Sequence, residues 1–167
     1  MIQETSGYLR VETRGYMGER FAVYPNFLGP PGLTDARSYG DNYYVVATPS
    51  GNLPEEAIEH EWLHYLLDPY VWKYPSIVES KAGLLPIAQR APALDAAFRN
   101  SFSLLLTESL IRAIQARRSS KDERAQLSAV QDAAEEGVVL APYFYEALKE
   151  FEQQPVGLRL YFPFYLS

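Results

Sequence analysis

Both histidines of this 167-residue chain fall within five positions, His60-Glu61-Trp62-Leu63-His64, and that spacing constrains the local fold. On a helix, residues four apart sit about 40° from each other around the axis, so both imidazoles project from one face and can bind one ion. Glu61 lies about 60° from His64 on the same count, within reach of that face. The flanking residues predict such a helix. Leu53-Pro54-Glu55-Glu56-Ala57 puts a proline and two acidic residues where a first turn favours them, with Ser50 or Asn52 available as the N-cap. Ala57, Leu63, Leu66 and Leu67 supply apolar positions at roughly helical spacing. Asp68-Pro69 is expected to end the pattern, because proline disfavours helix at the residue before it. The expectation is a helix from about 53 to 68.

The chain length suits one domain, 1–167, strand-rich over 1–50 and helical over 53–155. An apolar content of 47% and the absence of a low-complexity run point to a folded chain, and no apolar stretch approaches the 18 residues a membrane span needs. The N-terminus lacks a basic region followed by an apolar one, so it does not read as a signal peptide; a soluble chain is expected, which could also be a trimmed piece of an exported protein. With 0 cysteines there are no thiolate ligands, and a metal site must use histidine and carboxylate. The net charge of −6 disfavours nucleic acid, whose phosphates call for clustered Lys and Arg. The one basic cluster, Arg117-Arg118-Ser119-Ser120-Lys121, runs into Asp122 and Glu123 and reads as a solvated helix end.

The first fifty residues read as strands and turns. Tyr8 to Thr13 alternates large or branched residues with polar ones, Phe21 to Tyr24 is a short apolar run, and Asn42 to Thr48 is strongly β-favouring. Gly29-Pro30-Pro31-Gly32 interrupts them. The sheet these make is expected to be small and mostly antiparallel. Beyond the motif helix, Pro75, Gly83 and Pro86 break Tyr70 to Arg90 into short pieces. A long apolar helix is expected from about Ala93 to Arg117, an amphipathic one from Lys121 to Glu136 stopped by Gly137, and a short one from Pro142 to Phe151. The aromatic tail from Leu158 to Leu166 is expected to pack on the core as a strand or extended segment.

A catalytic zinc site commonly takes three protein ligands plus water, so the two histidines leave one position to an acid. The absence of a third histidine excludes the metzincin pattern. Glu108 is preferred, because a carboxylate within a long apolar helix is expensive to bury and a metal would offset that cost. Arg112, four residues on, is placed to pair with it, either as an ordinary ion pair or as the group that orients a ligating carboxylate. Glu79 lies fifteen residues after His64 but between helix breakers. Asp68, one turn beyond His64, suits a supporting role around the site or a helix C-terminal cap better than ligation.

The segments HEWLHYLLDP and TESLIRAIQAR resemble the paired helices of gluzincin-type metallopeptidases, most of all a bacterial group of zincin-like domains. APYFYEALKEFEQQP is similar to that group's closing helix. The resemblance covers about residues 42 to 155 and rests mainly on the two short motifs. It implies an α+β, zincin-like fold with a small N-terminal sheet packed on the HExxH helix and a mainly helical C-terminal part. It further implies Zn2+ held by His60, His64 and Glu108, the last within an E-x-x-x-R-A motif matched by Arg112-Ala113, with Glu61 as base. Thermolysin-like gluzincins differ, since their ligand glutamate follows the second histidine more closely.

The activity expected on this basis is that of a hydrolase, a zinc-dependent protease acting on a peptide or protein substrate. Glu61 would take a proton from metal-bound water, and a tyrosine or arginine would stabilise the oxyanion, with Tyr74, Tyr143 and Tyr145 among the candidates. By analogy with zincins, Asn42 to Thr48 would offer the edge on which an extended substrate pairs. The alternative is a zincin-fold domain that binds metal but cleaves little, serving as a binding or sensory module.

Overall fold

The run Asn42–Ala47 alternates in burial as a strand on a packed surface must. Val45 and Ala47 are fully buried, while Val46 between them faces outward. A computed structural model describes residues 1–11, 20–120 and 122–166. It is an α+β structure whose residues group into two compact units, 1–66 and 67–167, the division falling inside one helix.

In the first unit, helix α1 (Ile2–Leu9) is followed by strands β1 (Arg20–Pro25), β2 (Thr34–Tyr39) and β3 (Asn42–Ala47) and by the first turns of helix α2 (Glu55–Trp72). The strand order is β1-β3-β2, so β3 is central. It pairs antiparallel with β2, Thr34 opposite Ala47, and parallel with β1, Arg20 opposite Asn42. The sheet is therefore mixed, where a mostly antiparallel one was expected. The core of this unit is Val45, Ala47 and Ile58, with Phe21, Val23, Ala36, Tyr43 and Ile2 packed around them. Ile58 belongs to α2, so the first turns of the motif helix pack on the sheet face that carries Val45 and Ala47.

Three expectations for this unit fail for identifiable reasons. Tyr8 and Leu9, read as part of a strand to Thr13, end helix α1; Thr13 lies outside the described residues. Arg10 closes that helix in the left-handed region (φ 53°), and on its inner side the Thr5 hydroxyl donates to the buried carboxylate of Glu59. That partner is 54 residues away and invisible to local pattern. Strand β2 was not foreseen, because Thr-Asp-Ala-Arg-Ser-Tyr has little β preference and is held by its ladder to β3. Ser50 and Asn52 do not open α2; they pair in an isolated bridge, and the Ile58 N–H donates to the Pro54 carbonyl.

Helix α2 also runs past Pro69 to Trp72 instead of stopping at Asp68. Proline forfeits its own N–H but leaves its carbonyl usable, and the Lys73 N–H donates to it at 3.2 Å. The second unit continues with α3 (Pro75–Ser80), a 3₁₀ turn (Ala82–Leu84), α4 (Leu85–Ala88), α5 (Ala96–Asn100), α6 (Phe102–Ser119), α7 (Glu123–Glu135), α8 (Ala141–Glu152) and α9 (Leu158–Tyr165). Helix α6 packs against α3, α5, α7 and α8. It is buried nearly all round, with Leu105, Leu110, Ile111, Ala113 and Ile114 fully enclosed.

The long helix expected from Ala93 to Arg117 is two helices. Ser101 adopts an extended conformation between them, and its hydroxyl caps α6 by accepting from the Leu104 N–H. Gly137 does stop α7. At φ +111° it allows Val138 N–H to reach Ala133 O at 2.9 Å and Gly137 N–H to reach Ala134 O at 3.1 Å, the paired bonds of a Schellman end. The tail is a helix, α9, with Pro163 inside it; Leu158, Phe162, Tyr165 and Leu166 are buried. The arginine cluster is less solvated than expected, since Arg117 forms a two-pronged pair with Glu152 at 2.5 Å and stacks over the Tyr145 ring; Lys121 lies outside the described residues.

Candidate metal centre

Helix α2 presents His60 and His64 as neighbours on one face. Their ring centroids are 5.0 Å apart and their planes 67° apart; His60 is half-buried and His64 is 8% exposed. Helical periodicity accounts for the pairing, and the Ile58 contact with the sheet core anchors the helix two residues before His60.

Glu61, between them, is held from the sheet. The Tyr43 hydroxyl donates to its Oε2 at 2.8 Å. The Tyr43 ring is in turn fixed by two aromatic neighbours, stacked on Phe21 (centroids 5.8 Å, planes 19° apart) and edge-on to Tyr65 (5.9 Å, 63°). Sequence reasoning missed this residue. The signal that could have found it is the alternation Tyr43, Val45, Ala47, which puts Tyr43 on the sheet face that carries the motif helix.

Glu108 sits in the middle of α6 and is 2% exposed. Its Oε1 accepts from Arg112 Nε at 2.7 Å, one turn along the same helix, and Arg112 also lies 3.5 Å from a carboxylate oxygen of Glu136. A charge-assisted bond to a planar guanidinium fixes both position and tilt of the carboxylate, the arrangement wanted of a ligand and its support.

The ligand atoms offered by His60, His64 and Glu108 all lie within 4.8 Å of one another. Among the described residues this is the group of histidines and acids with that property, and it contains neither Glu61, Glu79 nor Asp68. Donors around a tetrahedral ion at about 2.0–2.2 Å are spaced about 3.4 Å apart, a spacing that falls within the 4.8 Å limit of this group. Two imidazoles and one carboxylate, without a thiolate, form a donor set that suits zinc with a position left for water. The group could hold a metal ion.

The rejected ligands have ordinary settings. Glu79 is exposed on α3, and Asp68 is half-buried one turn past His64 on a helix that does not end there. Of the tyrosines considered as oxyanion donors, Tyr145 is buried and donates to Gln126 at 2.8 Å, and Tyr143 donates to the Tyr165 carbonyl at 2.9 Å. Tyr74 stacks on Phe162. Strand β3 does not offer the expected substrate edge: both of its sides are occupied, and the edge strands are β1 and β2. No family model, curated protein or solved structure matches the chain.

Proposed function

We propose that this protein is a zinc-dependent metallopeptidase of zincin-like fold, with His60, His64 and Glu108 as metal ligands and Glu61 as general base. The observation that carries the reading is the grouping of both motif histidines with one buried carboxylate 44 positions further along the chain than His64 (108 − 64 = 44). A sequence-distant acid drawn to a histidine pair is what a three-ligand site requires and what an isolated helix motif does not.

Bound zinc would supply a Lewis acid for the scissile carbonyl and a water whose pKa falls toward about 7. Arg112 keeps the Glu108 carboxylate in one orientation, so that the ligand set is preorganised. Glu61 stands outside that set, with one oxygen on Tyr43 and the other able to accept a proton and return it to the leaving amine. The burial of His64 and Glu108 limits water around the ligands, which strengthens electrostatic interactions there.

The experiment is elemental analysis of the purified protein followed by cleavage of a mixed peptide pool with and without chelator. One equivalent of zinc and chelator-sensitive cleavage are expected. Metal at one equivalent without such cleavage favours the second reading, a metal-holding module that cleaves little. The interior position of β3 speaks for that reading, since the strand preceding the motif helix has no open side for a peptide. Absence of bound metal overturns both.

A further inference from the structure

We infer that Tyr43 is the positioning residue that keeps Glu61 a base and prevents it from becoming a fourth ligand; this rests on the metallopeptidase reading above. A glutamate adjacent in sequence to a metal-binding histidine has a competing use for its carboxylate, because an anion beside a divalent cation gains most by binding it. Bound to the metal, Glu61 would fill the position that water needs and would lose its capacity to accept a proton. Something must hold it off.

The structure supplies the tether. Glu61 has several rotatable side-chain bonds, and the group of mutually close ligand atoms found among the described residues does not include it. Its Oε2 is instead bonded to the Tyr43 hydroxyl at 2.8 Å. The phenol cannot follow the carboxylate toward the histidines, because its ring is packed between Phe21 and Tyr65 and its backbone lies in the central strand, paired on both sides. Orientation of the base is thereby dictated by the sheet and not by a flexible side chain, which reduces the rotamer entropy lost at each turnover. Oε1 is left for proton transfer.

Tyr43→Phe tests this, since it removes one oxygen and keeps the ring cluster. Zinc stoichiometry should stay at one equivalent, zinc affinity should hold or rise, and KM should change less than about twofold. The kcat value should fall about tenfold to a hundredfold, the size expected when a charge-assisted bond orienting a base is lost. A second readout is independent of turnover. With cobalt(II) in place of zinc, Tyr43→Phe should change the visible spectrum as a carboxylate oxygen replaces water at the metal, and the change should vanish when Glu61→Gln is added. Wild-type kcat together with an unchanged cobalt spectrum overturns the inference, as does a spectral change that persists without Glu61. If the wild-type protein binds metal but cleaves nothing, the peptidase reading falls while the cobalt spectra still decide whether Tyr43 restrains Glu61. Near-ultraviolet circular dichroism of the metal-free variant shows whether the ring cluster is intact.

Discussion

Replacing Glu108 with glutamine separates a metal ligand from an ordinary ion pair. In the metal-free protein the substitution removes a buried charge and, with it, the charge assistance of the bond from Arg112, which the glutamine oxygen can still accept. A hydrogen bond to a charged group contributes about 1.5–3 kcal/mol, while taking a carboxylate out of water costs several kcal/mol, so the two changes largely offset. The partner adds little, because the Arg112 side chain is 41% exposed and can turn to water or to Glu136. The expected change in metal-free stability is within about 1.5 kcal/mol of zero by that offset. Metal binding should respond very differently. Losing a direct ligand should weaken zinc by at least the roughly 100-fold that changes to groups supporting a ligand can reach. At zinc equal to 100 times the wild-type Kd, binding stabilises the wild type by about 2.7 kcal/mol; a 100-fold weaker site gains only about 0.4 kcal/mol. Urea unfolding with and without zinc measures both quantities on one protein. A Glu108→Gln variant that keeps the full zinc-dependent shift refutes the assignment of Glu108, whatever its stability without metal.

Glu61→Gln should retain one equivalent of zinc and lose hydrolysis by about 10²–10⁴-fold, checked by elemental analysis and peptide cleavage. Gly137→Ala should destabilise the protein by about 1–3 kcal/mol, read from urea midpoints: φ is +111°, and an added Cβ would stand 2.4 Å from Ala91 Cβ. Burial pushes the Tyr70 hydroxyl up from the ordinary 10.0 to about 12, only partly offset by Arg159. The phenol is thus favoured neutral in the folded state, and its contribution is intact below pH 10 and lost as pH rises toward 12. Tyr70→Phe should show a shallower fall in stability across that window, measured by denaturant titration at fixed pH values.

Local pattern was informative where an element carries its own signals. The motif helix had acidic residues in its first turn and apolar positions at helical spacing, α7 had an amphipathic pattern and Gly137 as stop, and β3 had a run of β-branched and aromatic residues. It failed where partners far away in sequence decide. Thr5 ties α1 to Glu59, 54 residues away; β2 pairs along its ladder with β3; Ser101 breaks a stretch whose apolar spacing is continuous. The parallel pairing of β1 with β3 follows from the insertion of β2 at the far side of β3, which nothing in the Gly-Pro loop announces.

For the candidate site, His60, Glu61 and His64 were legible from spacing alone, and Glu108 from the cost of placing a carboxylate in an apolar helix. The Arg112 contact followed from the four-residue interval and is observed at 2.7 Å. Tyr43 was hidden among 13 tyrosines, because its role depends on sheet register and on the rotation of α2, neither of which one sequence encodes locally.

X-ray absorption at the zinc edge of the metal-loaded protein tests the central claim most directly. The account predicts a first shell of two imidazole nitrogens and one carboxylate oxygen at about 2.0–2.2 Å, completed by water, with the oxygen contribution reduced in Glu108→Gln. A shell lacking paired imidazoles, or one unchanged by that substitution, would contradict it.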